Sequence, residues 1–256
     1  MKKILLVGGG KIGSAIADLL GPTGDYALTV ADRDAASLAR LGAPNVTPLR
    51  MDIAHAAALA AAAKGHDMVL SAAPYTLTPV IAAAAKEAGA HYFDLTEDVE
   101  STRVVKQLAE GAASAFVPQC GLAPGYISIC AADIARRFDT LREVQMRVGA
   151  LPVFPTNALK YNLTWSTDGL INEYCNPCES IRDGELIEVP ALEELEAFSL
   201  DGVEYEAFNT SGGLGTLCET LKGKVENLNY KTVRYPGHRD IVKMLVRDLR
   251  LAYRRD

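Results

Sequence analysis

The sequence predicts an α/β fold, in which a doubly wound parallel sheet is followed by a second, α+β domain with a mixed sheet. Two observations predict it. Short apolar runs alternate with alanine-rich helical segments up to about residue 118, which is typical of β-α-β units. Beyond residue 122, prolines, glycines and aromatic residues mix with short alternating runs. We therefore expect one domain over residues 1–122, a second over 123–238, and a helix over 239–256 that packs back on the first domain.

The elements of the first domain follow one another at short intervals. Strands are expected at 3–7, 26–31, 46–49, 67–71, 91–95 and 115–118, and helices at 12–20, 34–41, 53–64, 79–88 and 100–110. The strands are nearly continuous apolar runs, which indicates a sheet that is covered by helices on both faces.

The second domain is predicted less regularly. A helix is expected at 125–138, and residues 143–149 alternate apolar and polar side chains, as in a strand with one wet face. Residues 151–235 read as short strands and turns, and residues 240–253 carry apolar side chains at helical spacing.

Composition excludes several classes of protein. The chain has 256 residues, is 49% hydrophobic and has a net charge of −6, without a basic block that would suit nucleic acid. No apolar run approaches the roughly 18 residues of a membrane span. The apolar run after the N-terminal lysines is too short for a signal peptide, so we expect a cytoplasmic protein.

Cys175 and Cys178 are expected to be structural thiols, and no metal site is expected, since zinc would need two further ligands.

A glycine-rich turn separates the first strand from the first helix. Gly8, Gly10 and Gly13 match the pattern G-x-G-x-x-G, with Lys11 and Ile12 in the intervening positions. Gly8 permits the tight turn, Gly10 lets a phosphate approach the backbone, and Gly13 lets the helix pack closely on the strand. The pyrophosphate of a dinucleotide then lies on the helix N-terminus. The turn therefore predicts a Rossmann-type dinucleotide-binding domain over residues 1–122.

Residues after the other strands complete the predicted cofactor site. Asp32 ends the second strand, where a carboxylate accepts from ribose hydroxyls and repels a 2′-phosphate, which favours NAD. Arg33 is placed to meet that phosphate, so NADP stays open. Asp52 is expected either at the adenine or as a helix cap. The segment after the fourth strand is expected to pass the nicotinamide, and it comprises Ala72, Ala73 and Pro74.

Several stretches together resemble the saccharopine dehydrogenase family, and within it most closely the lysine 6-dehydrogenases. They are the glycine turn, Ala73-Pro74-Tyr75-Thr76, Phe93-Asp94-Leu95-Thr96, Gly121-Leu122-Ala123-Pro124-Gly125, Tyr161-Asn162 with Trp165-Ser166, Thr210-Ser211-Gly212-Gly213, and Thr232-Val233-Arg234-Tyr235-Pro236-Gly237-His238. Family chains continue well beyond residue 256, so we expect the C-terminal part of the family pattern to be missing from this sequence.

The second domain is expected to serve substrate binding and dimerisation. Outward apolar residues of its sheet favour a homodimer, although amphipathic strands cover helices equally well.

The resemblance implies an NAD(P)-dependent oxidation of the C–N bond of an amino acid. An amine with a pKa near 10.4 must lose its proton before hydride leaves, which requires a base. Asp94 and His238 are the candidate bases, against the alternatives of a helix cap and a helix-start histidine. Tyr161, next to Lys160, is a third catalytic candidate, although neighbours on a strand point to opposite faces.

The resemblance also implies residues for the substrate. Arg234 is the candidate partner of the α-carboxylate, with a surface ion pair as the alternative. Tyr75, Thr96 and Trp165 are expected near the substrate. Asp168 stands where saccharopine reductases carry an arginine, which favours lysine or a similar basic amino acid over saccharopine, unless Asp168 is a helix cap. Saccharopine oxidation and a non-catalytic dinucleotide-binding module remain the alternatives.

Overall fold

The computed structural model describes residues 1–253 and divides into two compact units, Met1–Gly121 and Leu122–Asp256. The last three residues of the segment predicted as a helix over 239–256 lie outside the described part. The substrate-binding and dimerisation roles predicted for the second domain stay predictions.

A six-stranded parallel sheet forms the first unit, in the order β3-β2-β1-β4-β5-β6. Its strands are β1 (Lys2–Val7), β2 (Tyr26–Asp32), β3 (Val46–Arg50), β4 (Met68–Ser71), β5 (His91–Asp94) and β6 (Phe116–Val117). Its helices are α1 (Lys11–Leu20), α2 (Ala35–Leu38), α3 (Ala56–Ala63), α4 (Thr78–Ala88) and α5 (Val99–Ala109). This order confirms the predicted doubly wound sheet.

Strand β1 shows why this sheet is covered on both faces. Successive side chains of a strand point to opposite faces, and here both sets are apolar. Leu5 and Val7 join one buried cluster, whereas Ile4 and Leu6 join another. Two alanines of α3 and three of α4 are buried in the cluster of Leu5 and Val7, where their small side chains let the helices approach closely; they are Ala60, Ala63, Ala82, Ala84 and Ala85.

Helix α2 is shorter than the predicted helix over 34–41. Asp34 caps it, and its carboxylate accepts from the backbone N–H groups of Ala36 and Ser37. Only Ser37 and Leu38 of the helix are buried, and Gly42 follows soon after. One turn is therefore all that the local sequence stabilises.

The second unit is built on a mixed sheet, as predicted. Strands β10-β11-β12-β8-β9 follow one another, and β7 pairs with β12 in parallel, whereas the other pairs are antiparallel. The elements are α6 (Tyr126–Ala135), β7 (Leu141–Val148), α7 (Thr167–Cys175), β8 (Cys178–Arg182), β9 (Glu185–Val189), β10 (Glu196–Leu200), β11 (Val203–Asn209), α8 (Leu217–Leu221), β12 (Val225–Arg234) and α9 (His238–Lys243).

The predicted helix over 240–253 is interrupted. Helix α9 ends at Lys243, and a π turn over Met244–Asp248 and a 3-10 turn over Leu251–Tyr253 follow. Val242 and Val246 pack with Tyr174 and Phe208, so the segment joins the core of the second unit. Its predicted packing on the first domain stays a prediction. No helix within residues 1–253 is long and apolar enough to cross a bilayer.

Candidate functional site

The glycine turn has the geometry that a close-approaching backbone requires. Gly8 has φ +102°, and a Cβ there would lie 2.9 Å from the backbone carbonyl of Ala72. A Cβ on Gly13 would overlap the carbonyl oxygen of Gly8, so both positions need glycine. A Cβ on Gly10 would meet nothing within 4 Å. The space above Gly10 is therefore open to a ligand, while Gly8 and Gly13 interlock the turn with the start of α1.

The first turn of α1 is suited to an anion. No side chain caps it, and it carries no acidic residue, so its N–H groups and the positive end of the helix dipole have no competing carboxylate. Lys11 and Ile12 are exposed beside it. These features fit the pyrophosphate of a dinucleotide and agree with the sequence prediction.

Asp32 is fixed at the rim of the turn. Its Oδ2 accepts from the N–H of Gly9 at 2.7 Å, and its Oδ1 accepts from the N–H of Asp34 at 2.8 Å. A carboxylate has about four acceptor sites, so it can still accept from the two hydroxyls of a ribose. Arg33 is exposed next to it.

Asp52 lies at the end of the next strand along the sheet. The N–H of Met51 donates to the backbone oxygen of Asp32, which brings the ends of β2 and β3 together. Asp52 accepts from the N–H of Ala54 at 3.0 Å. The cap of α3 is instead His55, whose Nδ1 accepts from Ala58. The alternative in which Asp52 caps this helix is therefore wrong, and its contact with adenine stays a prediction.

Three loops adjoin one another at the carboxyl edge of the sheet. Val7, Ser71 and Asp94 are in register on neighbouring strands. The glycine turn, the segment of Ala72, Ala73 and Pro74, and the loop after β5 therefore start side by side, where ligands bind in open parallel sheets. Tyr75 opens a 3-10 turn in the second of these loops, and its backbone oxygen accepts from Ser101.

The Asp94 carboxylate accepts its hydrogen bonds from groups of the first unit. Asp94 is 1% exposed, and its carboxylate accepts from the hydroxyl of Tyr92 at 2.8 Å and from the N–H groups of Thr96 and Gln119 at 3.0 and 2.9 Å. Burial raises its pKa, and these hydrogen bonds act against that rise. The arrangement ties β5 to the loops after β5 and β6. Asp94 does not cap α5, as the alternative had it. The cap is Asp98, whose carboxylate accepts from the N–H of Ser101.

Glu97 was not identified from the sequence. It is buried, and its Oε1 has no hydrogen-bond partner. Burial, together with the charges of Asp98 and Asp94, raises its pKa to about 7. Thr96 is buried beside it and accepts from the N–H of Asp98 through its hydroxyl. An acidic residue beyond the carboxyl end of a strand is a signal that could have identified Glu97. The sequence prediction instead named Asp94, which ends the strand itself.

A polar cluster lies inside the second unit, on β12, α7 and the start of α9. The hydroxyl of Tyr174 contacts Nε2 of His238 at 3.1 Å and accepts from Nε of Arg234 at 3.1 Å. Nδ1 of His238 lies 2.8 Å from the backbone oxygen of Leu159, so it carries the proton and Nε2 accepts from Tyr174. Burial, with the nearby charge of Arg234, lowers the pKa of His238 to about 4. His238 is therefore neutral, and both of its ring nitrogens are hydrogen-bonded within the fold. These properties do not suit a residue that must accept a proton from a substrate.

Tyr161 and Trp165 extend this cluster. The guanidinium of Arg234 lies over the Tyr161 ring, 4.4 Å from its centroid, and the ring meets His238 edge-on. The Tyr161 hydroxyl accepts from Nε1 of Trp165 at 3.0 Å. The structure thus brings together four residues predicted separately. Arg234 is 5% exposed, so the alternative of a surface ion pair is wrong. Tyr174 was missed, because its partners are 60 and 64 positions away in the chain.

Asp168 lies apart from these contacts, in the first turn of α7. It is exposed, and the cap of this helix is Ser166, whose hydroxyl accepts from the N–H of Gly169 at 3.1 Å. Ser166 fills the capping role proposed as the alternative for Asp168. Lys160, exposed at φ +51°, donates to the backbone oxygen of Pro236.

The cysteines show no sign of metal chemistry in the described chain. Cys178 is buried, and burial raises its pKa to about 12, while Cys175 is half-buried and its pKa is also raised by burial. Within residues 1–253, no group of three or more His, Cys, Asp or Glu side chains is arranged to hold a metal ion.

Family comparisons agree with this arrangement. Residues 4–116 match the saccharopine dehydrogenase NADP binding domain, and residues 121–250 match the saccharopine dehydrogenase C-terminal domain. The chain belongs to the saccharopine dehydrogenase family. Its first unit is accordingly an NAD(P)-binding domain, as the glycine turn predicted.

Curated members of this family show the same relationship. Saccharopine dehydrogenase [NADP(+), L-glutamate-forming] of Pyricularia oryzae is 25% identical over 263 residues, and that of Saccharomyces cerevisiae is 26% identical over 259 residues. Each match covers 96% of this chain and 57% of the relative. The chain therefore spans little more than half the length of these saccharopine dehydrogenases.

Solved structures confirm the fold. The apo saccharopine dehydrogenase (L-Glu forming) of Saccharomyces cerevisiae superposes with a TM-score of 0.75 at 23% identity, covering 98% of this chain and 59% of that one. The homospermidine synthase of Legionella pneumophila, solved in complex with NAD, gives a TM-score of 0.68 at 13% identity, covering 97% and 69%. The family fold thus extends through both units.

Proposed function

We propose that this protein is an NAD(P)-dependent oxidoreductase that oxidises the C–N bond of an amino acid, with a preference for lysine or a similar small basic amino acid. The observation that carries the proposal is the glycine turn. Its interlocked Gly8 and Gly13, open Gly10 and tethered Asp32 suit a dinucleotide on a chain that belongs to a dehydrogenase family.

In this proposal the first unit holds the cofactor. The N–H groups of the first turn of α1 bind the pyrophosphate, and Asp32 accepts from the adenosine ribose, which favours NAD. Arg33 is the group that would meet the 2′-phosphate of NADP. The nicotinamide supplies a hydride acceptor when it is bound. The segment of Ala72, Ala73 and Pro74 is the proposed neighbour of that ring.

The buried cluster of the second unit is the proposed substrate side. Arg234 is a cation held in place by Tyr174 and by the ring of Tyr161, so it is positioned without further ordering of its side chain. Trp165 and Tyr161 supply an apolar wall with polar atoms already paired. His238 acts here as a positioning residue, because it keeps the Tyr174 hydroxyl oriented towards Arg234. Tyr75 and Thr96 stay predicted substrate contacts.

Asp168 supports the choice of a basic substrate. Saccharopine is lysine joined to a glutaryl unit, whose two extra carboxylates would be repelled by Asp168, whereas an ammonium group would be attracted. Saccharopine is the second candidate, because the curated relatives bear that name.

Substitution of Asp168 separates the two candidates. We expect Asp168→Arg to lower kcat/KM for lysine about tenfold and to leave cofactor affinity unchanged. Glu185→Arg, at the exposed start of β9, is the charge-matched control and should leave both unchanged. Initial rates over a range of lysine concentrations measure this. An unaltered kcat/KM in Asp168→Arg would remove the residue from the substrate site.

A substrate screen tests the function as a whole. The protein is mixed with NAD or NADP and with lysine, ornithine, saccharopine or glutamate, and formation of reduced nicotinamide is followed by absorbance. Faster reduction with lysine than with saccharopine is expected. Faster turnover of saccharopine would favour the second candidate. Tight binding of NAD without reduction by any of these compounds would indicate a non-catalytic dinucleotide-binding module.

A further inference from the structure

Glu97 has a buried carboxyl oxygen that no group in the described chain pairs with. Asp94 accepts three hydrogen bonds, and Asp98 caps α5. Glu97, between them, is 9% exposed, and its Oε1 is buried without any hydrogen-bond partner. Native proteins rarely leave a buried polar atom unpaired, since its lost hydration is not repaid. Such a group at a ligand-binding edge calls for a ligand or a reaction to account for it.

The position of Glu97 in the fold points to the reacting end of the cofactor. It follows β5, whose last residue is in register with Ser71, and the segment after Ser71 is the proposed neighbour of the nicotinamide. Thr96 and Asp98 fix the backbone on both sides of Glu97 through local hydrogen bonds. The backbone of Glu97 is therefore held in place at the carboxyl edge of the sheet, while its buried Oε1 stays without a partner.

We propose that Glu97 is the proton acceptor that deprotonates the amino group of the substrate. The inference rests on the proposed function. The proton passes from the substrate ammonium to the Glu97 carboxylate, which leaves a neutral amine and a carboxylic acid. The amine lone pair then supports loss of hydride from the adjacent carbon to the nicotinamide. Charge balances, because the C–H electron pair leaves with the hydride and the amine becomes an iminium ion.

The electrostatics of the loop suit this task. The charged groups acting on Glu97 are Asp98 and Asp94, and both disfavour a second negative charge. Together with burial they bring its pKa to about 7, within the range where a base is both ionised and able to hold a proton near neutral pH. Of the bases predicted from the sequence, Asp94 already accepts three hydrogen bonds within the fold, and both ring nitrogens of His238 are hydrogen-bonded.

Glu97→Gln tests the inference, because glutamine keeps the shape but cannot take the proton. We expect kcat to fall at least about a hundredfold, and the rise of kcat with pH near 7 to disappear. Affinity for NADH, measured by its fluorescence, should stay within about threefold of the wild type. Glu100→Gln is the matched control, since Glu100 is exposed and pairs with Arg103 three residues on. It should leave kcat and its pH profile unchanged.

The outcomes are distinct. If the wild type oxidises an amino acid and Glu97→Gln does so at a similar rate with the same pH profile, the role of Glu97 is overturned and the proposed function stands. If the wild type reduces NAD with none of the amino acids, the proposed function fails and this inference fails with it. Glu97→Asp, which retains a shortened carboxylate, serves if the glutamine variant does not fold. In Glu97→Asp, kcat should be reduced but should still rise with pH. A kcat that does not depend on pH in this variant would contradict the proposal.

Discussion

We expect Asp32 to set the choice between NAD and NADP, through a carboxylate that already has two backbone partners. Asp32→Ala removes the acceptor for the adenosine ribose, and a hydrogen bond to a charged group is worth about 1.5–3 kcal/mol. We therefore expect affinity for NAD to fall roughly tenfold to a hundredfold, with a much smaller change for NADP, whose phosphate the carboxylate repels. Fluorescence titration with both reduced cofactors measures this.

Arg33→Ala is the complementary control at the neighbouring position. It should weaken NADP and leave NAD unchanged, because Arg33 is exposed and only the 2′-phosphate offers it a strong partner. An equal loss for both cofactors in Asp32→Ala would contradict the assignment of the ribose to Asp32.

The contrast between Asp94 and Glu97 shows which residue properties a sequence predicts. The strand-end position of Asp94 could be predicted, and so could its place at the ligand-binding edge. Its full set of hydrogen bonds could not be predicted, because one donor is the backbone N–H of Gln119, 25 positions away. Tyr92 and Asp94 are two apart on a strand and share a face, so that contact alone was within reach.

At the scale of elements, the glycine turn offers a matched pair of substitutions. Gly13→Ala places a methyl group against the carbonyl oxygen of Gly8, so we expect the free energy of unfolding to fall by about 1–3 kcal/mol or more, with loss of cofactor affinity. Gly10→Ala meets nothing within 4 Å and has φ −69°, so stability should change by less than about 0.5 kcal/mol.

For both variants, the affinity for NADH is compared with the free energy of unfolding. Gly10→Ala should still weaken NADH binding, because its methyl group occupies the space left for the pyrophosphate. Urea unfolding and NADH titration separate the two effects. Unchanged NADH affinity in Gly10→Ala would show that the pyrophosphate does not lie over this residue.

Elements with a strong local signal were predicted well, and elements set by distant packing were not. The strands of the first unit lie within about two residues of their predicted bounds, because each is an apolar run closed by polar or glycine residues. The last helix was predicted as continuous over 240–253, but only His238–Lys243 is α-helical. Lys243, at the end of α9, and Arg247, within the π turn, both pair with Glu193, far back in the chain.

At the scale of the whole molecule, the two units have opposite pH requirements. His238 has its pKa lowered to about 4 in the folded state, so the unfolded chain takes up a proton first, and stability of the second unit is lost as pH falls below about 6.5. Glu97 has its pKa raised to about 7, so the folded first unit takes up a proton first, and its stability is lost as pH rises from about 4.5 to 7. Each contribution is of the order of 3 kcal/mol.

Hydrogen exchange resolved by peptide measures this difference. Between pH 5 and 7, after correction for intrinsic exchange, protection should fall in the peptides of the first unit and rise in those of the second. Glu97→Gln should remove the fall without altering the rise. A parallel change in both units would show that these two groups do not control the pH dependence.

The predicted homodimer stays a prediction, but the edges of the first sheet restrict how copies of the chain can associate. In the described chain β3 and β6 are the outer strands. β3 carries Pro48, which lacks the N–H that strand addition needs, and β6 is only two residues long. Both features disfavour addition of a further strand, and with it edge-to-edge aggregation through this sheet. We therefore expect two copies to associate through side-chain surfaces or the second sheet rather than by growth of the first.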